Sequence, residues 1–242
     1  MRIAARTDIG LVRENNQDSY TAGELCEGTA FAVVCDGMGG AAEGALASRS
    51  AVKVIREKLS SGFSEGMSDI AVKSLLISAL ENANKYIYEL SLTKEEYEEM
   101  APPAGPAIVS GGFVYIAHVG DSRAYMTCGG KITQLTRDHS VIQRMIENGE
   151  ITPQEAKDHP SRHIITRALG VDSEVRVDFC QEPFDDGSLL ILCTDGLTNS
   201  VKEDDIFNLS GSVRFYDAAN SLVDYANKID GADNVTVVAV SN

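Results

Sequence analysis

Short apolar runs recur along this chain, and several stop abruptly at an aspartate or a glycine. Residues 31–35 (Phe-Ala-Val-Val-Cys) run into Asp36-Gly37, residues 189–193 run into Thr194-Asp195-Gly196, and Asp233-Asn234 opens a final run ending at Val240. Runs of this length, rich in β-branched residues and bounded by turn formers, predict buried strands. On the same grounds strands are expected at Ile3–Thr7, Ser19–Ala22, Thr29–Asp36, Phe113–Val119, Ser122–Thr127, Lys131–Leu135, Glu174–Cys180, Ser188–Cys193 and Asn234–Val240. Gly129-Gly130 between two of them reads as a hairpin turn. A helical period places Ile70, Leu75, Leu76, Ala79, Leu80, Ala83, Ile87 and Leu90 on one core-facing stripe, and Ala218, Ala219, Leu222, Val223 and Ala226 on another. A further helix is expected over Glu43–Leu59, and Thr152-Pro153-Gln154-Glu155 carries the cap, proline and glutamate of a short helix start. Strands in clusters with long helices between them, without regular alternation, favour a layered α+β domain.

With 242 residues and 43% hydrophobic content the chain can bury one sizeable core, and no Pro/Gly/Ser-rich linker divides it. Its 36 acidic residues against 21 basic ones give a formal charge of −15, which argues against nucleic acid or an anionic membrane as partner. Much of that charge reads as solvated surface, as at 94–99 and 202–205. No apolar run reaches the length of a membrane span, and residues 1–6 lack a signal-peptide core, so a cytoplasmic protein is expected. Five cysteines without CxxC spacing (Cys26, Cys35, Cys128, Cys180, Cys193) read as reduced, mostly buried hydrophobes.

The acidic residues at the strand ends change the picture. A single Asp-Gly is most simply a turn, but here Glu43–Leu59 reads as helix, giving strand, loop, helix instead of a hairpin. An aspartate held at a strand end, beside a glycine that permits close backbone approach, is a natural ligand for a hard divalent cation.

Six segments in order, Arg13-Glu14-Asn15-Asn16-Gln17-Asp18, Asp36-Gly37-Met38-Gly39-Gly40, Val119-Gly120-Asp121-Ser122-Arg123-Ala124-Tyr125, Leu135-Thr136-Arg137-Asp138-His139-Ser140, Thr194-Asp195-Gly196-Leu197 and Asp233-Asn234-Val235-Thr236, resemble the PPM family of metal-dependent type 2C serine/threonine protein phosphatases in its compact bacterial form. The resemblance spans essentially the whole chain. It implies a four-layer α-β-β-α sandwich with two central antiparallel sheets, one catalytic domain over 1–242, and a variable flap over about 138–168. It also implies two Mn²⁺ or Mg²⁺ ions that activate a bridging hydroxide against phosphoserine or phosphothreonine. Asp36 would bridge the ions, the carbonyl of Gly37 would bind one, Asp195 and Asp233 the other, and Asp18 would act through water. Asp121 would help form a third metal position, with a plain turn aspartate as the competing reading. Arg13 resembles the family's phosphate-binding arginine, whose planar fork pairs two oxygens.

Two departures stand out. Met38 and Ala41 fall where relatives carry histidines, so the proton for the leaving group must come from water or from elsewhere; His139, and likewise His118, read as structural. Pro102, Pro103 and Pro106 fall where the family opens a central strand, so that strand is expected to start near Ala107 or to be an edge. The flap residues Arg144, Lys157, Arg162, His163 and Arg167 form a locally basic stretch that could meet phosphorylated substrates, or be plain surface charge. The expected partners are phosphoproteins, among them a bacterial serine/threonine kinase, and the chain is expected to be monomeric. The competing functions are a catalytically weak phosphoprotein-binding member of the same fold, favoured by Met38 and Ala41 but not by intact aspartates, and a Ca²⁺-binding structural protein, for which no EF-hand spacing exists.

Overall fold

The computed structural model describes residues 1–38, 41–97, 100–156 and 159–242. Gly39, Gly40 and Lys157 lie outside the described residues, as does the side chain of Ala41. The chain runs β1 (Arg2–Asp8), β2 (Ser19–Cys26), β3 (Thr29–Cys35), α1 (Ala41–Gly62), α2 (Asp69–Ser91), β4 (Ala104–Ser110), β5 (Phe113–His118), β6 (Arg123–Cys128), β7 (Lys131–Gln134), α3 (Val141–Glu147), α4 (Pro153–Ala156), β8 (Asp178–Pro183), β9 (Leu189–Cys193), α5 (Asp195–Thr198), α6 (Glu203–Ser212), α7 (Ala218–Ile229) and β10 (Val235–Ser241).

Two antiparallel sheets form, one in the order β1-β10-β9-β6-β7 and the other β2-β3-β4-β5-β8. Alternation along the strands makes the layers. On β3, Ala30, Ala32 and Val34 face the opposing sheet, where they meet Leu190, Leu192, Val238 and Val240. Phe31, Val33 and Cys35 face outward onto Ile55, Leu59, Leu76, Leu80 and Ile87 of α1 and α2. The other sheet turns Ile191, Cys193, Val235 and Val237 onto Leu222, Val223 and Ala226 of α7. Strands covered on both faces have no polar side, which is why they read as unbroken apolar runs. Each fully buried Leu or Ile here is worth about 1.5–3 kcal/mol over exposure. The four-layer α-β-β-α arrangement is thus the one the resemblance implies.

The expected hairpin at Gly129-Gly130 is present, with both φ angles positive (58° and 79°), as is the short helix α4, with Thr152 Oγ1 and Glu155 exchanging capping bonds. All five cysteines are free; Cys35 and Cys193 are buried.

Three expectations are corrected. Ile70 does not join the core stripe of α2 but is 78% exposed, because at about 100° per residue it lies nearly opposite Val72, where the buried stripe begins. The strand expected at 174–180 is displaced to β8, since β5 ends at His118, paired with Asp178, and offers 174–177 no partner. β4 starts neither late nor at an edge: it begins at Ala104 and lies between β3 and β5. Against β3 its pairing is unbroken from Ala104 to Val109, while toward β5 it is a bridge at Ala104↔Val119 that resumes at Ala107↔Ile116. Because the Ala104 N–H donates to Val119, the nitrogen of Pro106, two residues on, also faces β5. Its missing donor costs one rung in a ladder secured on its other side.

Candidate active site

Antiparallel registry brings five aspartates to one end of the sandwich. Ser19 pairs with Cys35, Val237 with Cys193, and Arg123 with Cys193. The residues just before β2, β6 and β10 (Asp18, Asp121, Asp233) therefore meet those just after β3 and β9 (Asp36, Asp195).

Asp18 lies deepest. Thr194 Oγ1 and Thr236 Oγ1 both donate to its Oδ2, at 2.8 and 2.7 Å, and the Thr236 N–H donates to Thr194 Oγ1. Its other oxygen, Oδ1, is buried without a hydrogen-bond partner. The loop before it is clamped by asparagines: Asn16 Oδ1 accepts from the Asp18 N–H, and Asn234 Oδ1 accepts from the Gln17 N–H while its amide donates to the carbonyls of Ile9 and Asn15. Asp36 follows β3, its N–H donating to the Pro103 carbonyl, so the proline segment helps seat this aspartate. Gly37 has a physical reason beyond any ligand role: a Cβ there would lie 2.4 Å from the Gln17 carbonyl oxygen and 2.5 Å from that of Gly44.

Asp195 opens α5 and accepts from Asn199 Nδ2 at 2.9 Å. The turn bearing Asp121 is held by His139, whose Nδ1 accepts from the Gly120 N–H and whose own N–H donates to the Gly120 carbonyl. Arg13 Nη2 donates to Asp233 Oδ2 at 2.9 Å, which holds the guanidinium at the Asp233 side of the cluster.

The electrostatics of this cluster are unfavourable without a cation. Burial, then Asp18, Asp195 and Asp121, push the Asp36 carboxyl well above the usual carboxylate range. Burial, with Asp195 and Asp233 adding, raises Asp18 to about 7, and burial with Asp195 and Asp138 raises Asp121 to about 7. Asp195 is raised by burial and by Asp233, with its contacts to Asp36 and Asn199 pulling the other way. An all-oxygen donor set, mutual repulsion and an orphaned buried oxygen on Asp18 fit a hard divalent ion.

His118, His139 and Asp178 also lie within ligand distance of one another. Here the charge is already balanced: Arg167 bonds Asp178 Oδ1 at 2.8 Å, and His139 Nε2 sits 3.2 Å from Asp178 Oδ2. Burial and the stacked His118 lower His139 to about 4, so it stays neutral at pH 7 and supports the Gly120-Asp121 turn without serving as a proton donor. Arg167, expected among the surface-basic flap residues, is thereby an internal ion pair. His163, in the same stretch, is exposed, and its Nε2 accepts from Arg162 Nε at 2.8 Å. Thr194, Thr236 and Asn234 lay inside recognised motifs, but their positioning roles appear only in three dimensions.

A testable consequence follows from the raised carboxyls. Protons bound in the folded state between pH 4 and 7 are lost in the unfolded state, so folding stability falls as pH rises through this window. His139, held neutral, pulls the other way. The carboxylate part is therefore read against Asp18→Asn in chelator: the variant's advantage in unfolding free energy should grow from pH 5 to pH 7.5, by on the order of 2 kcal/mol after discounting for shared protons. A difference that stays flat across this range would contradict it.

The family model for protein phosphatase 2C matches residues 12–226. The serine/threonine phosphatase stp of Listeria monocytogenes is 34% identical, covering 99% of this chain and 95% of its own length. The Mycobacterium tuberculosis serine/threonine phosphatase PstP/Ppp superposes with a TM-score of 0.90 at 33% identity, covering 100% of this chain and 98% of that one. The catalytic domain of the serine/threonine protein phosphatase PstP in complex with 2 manganese ions superposes at 0.86 with 30% identity, covering 98% and 96%. With its strand-end aspartates gathered at one end of a double sheet, and likeness running along its full length, this chain belongs to the protein phosphatase 2C family.

Proposed function

We propose that Asp36, Asp195, Asp233 and the Gly37 carbonyl hold divalent cations, two Mn²⁺ or Mg²⁺ ions with a third position at Asp121 and Asp195, and that Asp18 acts on them through water. The chain is a metal-dependent serine/threonine protein phosphatase, and the observation that carries this assignment of roles is the convergence of five mutually repelling aspartates, one of them paired with Arg13. Bound there, the ions supply Lewis-acid activation of water and neutralise phosphoryl charge. Thr194 and Thr236 fix the Asp18 carboxylate, so the donor set is oriented before substrate arrives. Arg13, 51% exposed, can release Asp233 and offer its fork to two phosphoryl oxygens. Met38 and Ala41 have no proton to give and His139 is neutral, so the leaving alkoxide takes its proton from water.

Residues 1–242 act as one catalytic domain, with 138–168 as a flap. Among the described residues no helix is long and apolar enough to cross a membrane. The substrates are phosphoserine and phosphothreonine proteins, including a bacterial serine/threonine kinase, met by a monomer.

The test is hydrolysis of para-nitrophenyl phosphate and of a phosphothreonine peptide with Mn²⁺, with Mg²⁺ and with chelator. Turnover of both that needs metal is expected; binding of phosphopeptide without turnover under any metal would replace the enzyme with a binding protein. Arg13→Ala should lower kcat/KM on the peptide by about 10–100-fold, and Arg13→Lys should recover only part, because an ammonium lacks the fork. Steady-state kinetics in which lysine restores full activity would remove the bidentate role.

A further inference from the structure

Beside the carboxylate end, α1 and the edge strands β1 and β2 enclose a cleft of about 490 Å³. One wall carries Arg49, Lys53 and Arg56, which at i, i+4 and i+7 share one face of α1. The other carries the hydroxyls of Thr7, Ser19 and Thr21. In a chain of net charge −15, none of these three cations belongs to an ion pair among the described residues. Three like charges on one helix face repel one another, and the hydroxyl wall opposite adds no negative charge to offset them.

We propose that this cleft binds an acidic stretch of the substrate polypeptide, carboxylates flanking the phosphorylated residue, and so sets substrate preference. The proposal rests on the phosphatase reading above. Its position suits the role: Ser19 follows Asp18 directly, and Thr7 Oγ1 lies 2.7 Å from Thr236 Oγ1, which itself bonds Asp18. These links tie the cleft to the carboxylate end, and in this proposal a peptide held at the aspartates extends into it. Arg49 and Arg56 offer planar forks matched to carboxylates, and of the hydroxyls opposite Thr21 keeps its proton to donate, since Thr7 donates to Thr236 and Ser19 to Ser48. A flat anionic membrane would meet the whole negative surface, whereas a peptide can enter the cleft and leave that repulsion outside.

The experiment compares two phosphothreonine peptides, one flanked by Asp and Glu and one with Asn and Gln in their place, on the intact protein and on the variant Arg49→Gln/Lys53→Gln/Arg56→Gln. The native chain should show KM lower by about 5–10-fold for the acidic peptide, a preference that fades as salt rises. The variant should lose the preference while its kcat, its KM for the neutral peptide and its hydrolysis of para-nitrophenyl phosphate are unchanged. A variant that keeps the preference, or a native chain that hydrolyses both peptides with equal KM, overturns the proposal. So does variant-sensitive co-sedimentation with phosphatidylserine vesicles at unchanged peptide KM, which would give the cleft to lipid. If the native chain hydrolyses neither peptide nor para-nitrophenyl phosphate, the phosphatase reading fails first and the docking role falls with it.

Discussion

Asp36→Asn should lower phosphopeptide turnover by at least about 10³-fold while the chain still folds. Asp36 is the carboxyl on which the fields of Asp18, Asp195 and Asp121 all act. Asparagine keeps its shape and one oxygen but removes the charge that the proposed cations would need from Asp36. The same change should raise the Tm of the chelator-treated protein at pH 7.5, because one member of a repelling cluster is gone. The rise in Tm on adding Mn²⁺ should shrink correspondingly, since ligand stabilisation scales with affinity for the folded state. Calorimetry with and without metal separates this from simple misfolding, which would lower Tm in both conditions. A variant within tenfold of native turnover, with an intact Mn²⁺ shift, would remove Asp36 from the centre of the site.

The strands that carry the site were legible because they are covered on both faces, so their apolar runs end where the backbone leaves the core. Asp36, Asp195 and Asp233 could be found at those ends. What brings them together is registry between strands far apart in the chain, and a single sequence does not display registry. The threonine pair on Asp18 joins residues 176 and 218 positions apart. Pro106 misled for a related reason: proline excludes a strand only on the side its nitrogen faces, and the sequence does not show that side. In the same way Arg49, Lys53 and Arg56 show their helical spacing plainly, but the hydroxyl wall opposite comes from β1 and β2.

Gly196→Ala should damage both activity and stability. In a helix this substitution ordinarily stabilises, by about 0.5–1 kcal/mol. Here the added Cβ would stand 1.9 Å from the Asn234 carbonyl oxygen and 2.9 Å from its carbon. That backbone cannot yield cheaply, since the Asn234 side chain is tied to Gln17, Ile9 and Asn15. The start of α5 must instead move away from the start of β10, carrying Asp195 from Asp233. A displacement of about 1 Å at a reacting centre is worth about 10²-fold, so kcat/KM should fall by at least that factor. Stability should fall by about 2–4 kcal/mol, a drop in Tm of about 5–15 °C for a chain of this size. Gly211→Ala is the matched control: it lies in α6 with no atom within 4 Å of the new Cβ, and it should gain stability without touching activity. Equal behaviour of the two variants would mean that the contact between α5 and β10 is slack, and that the spacing of Asp195 and Asp233 is set by the bound ions instead of by the backbone.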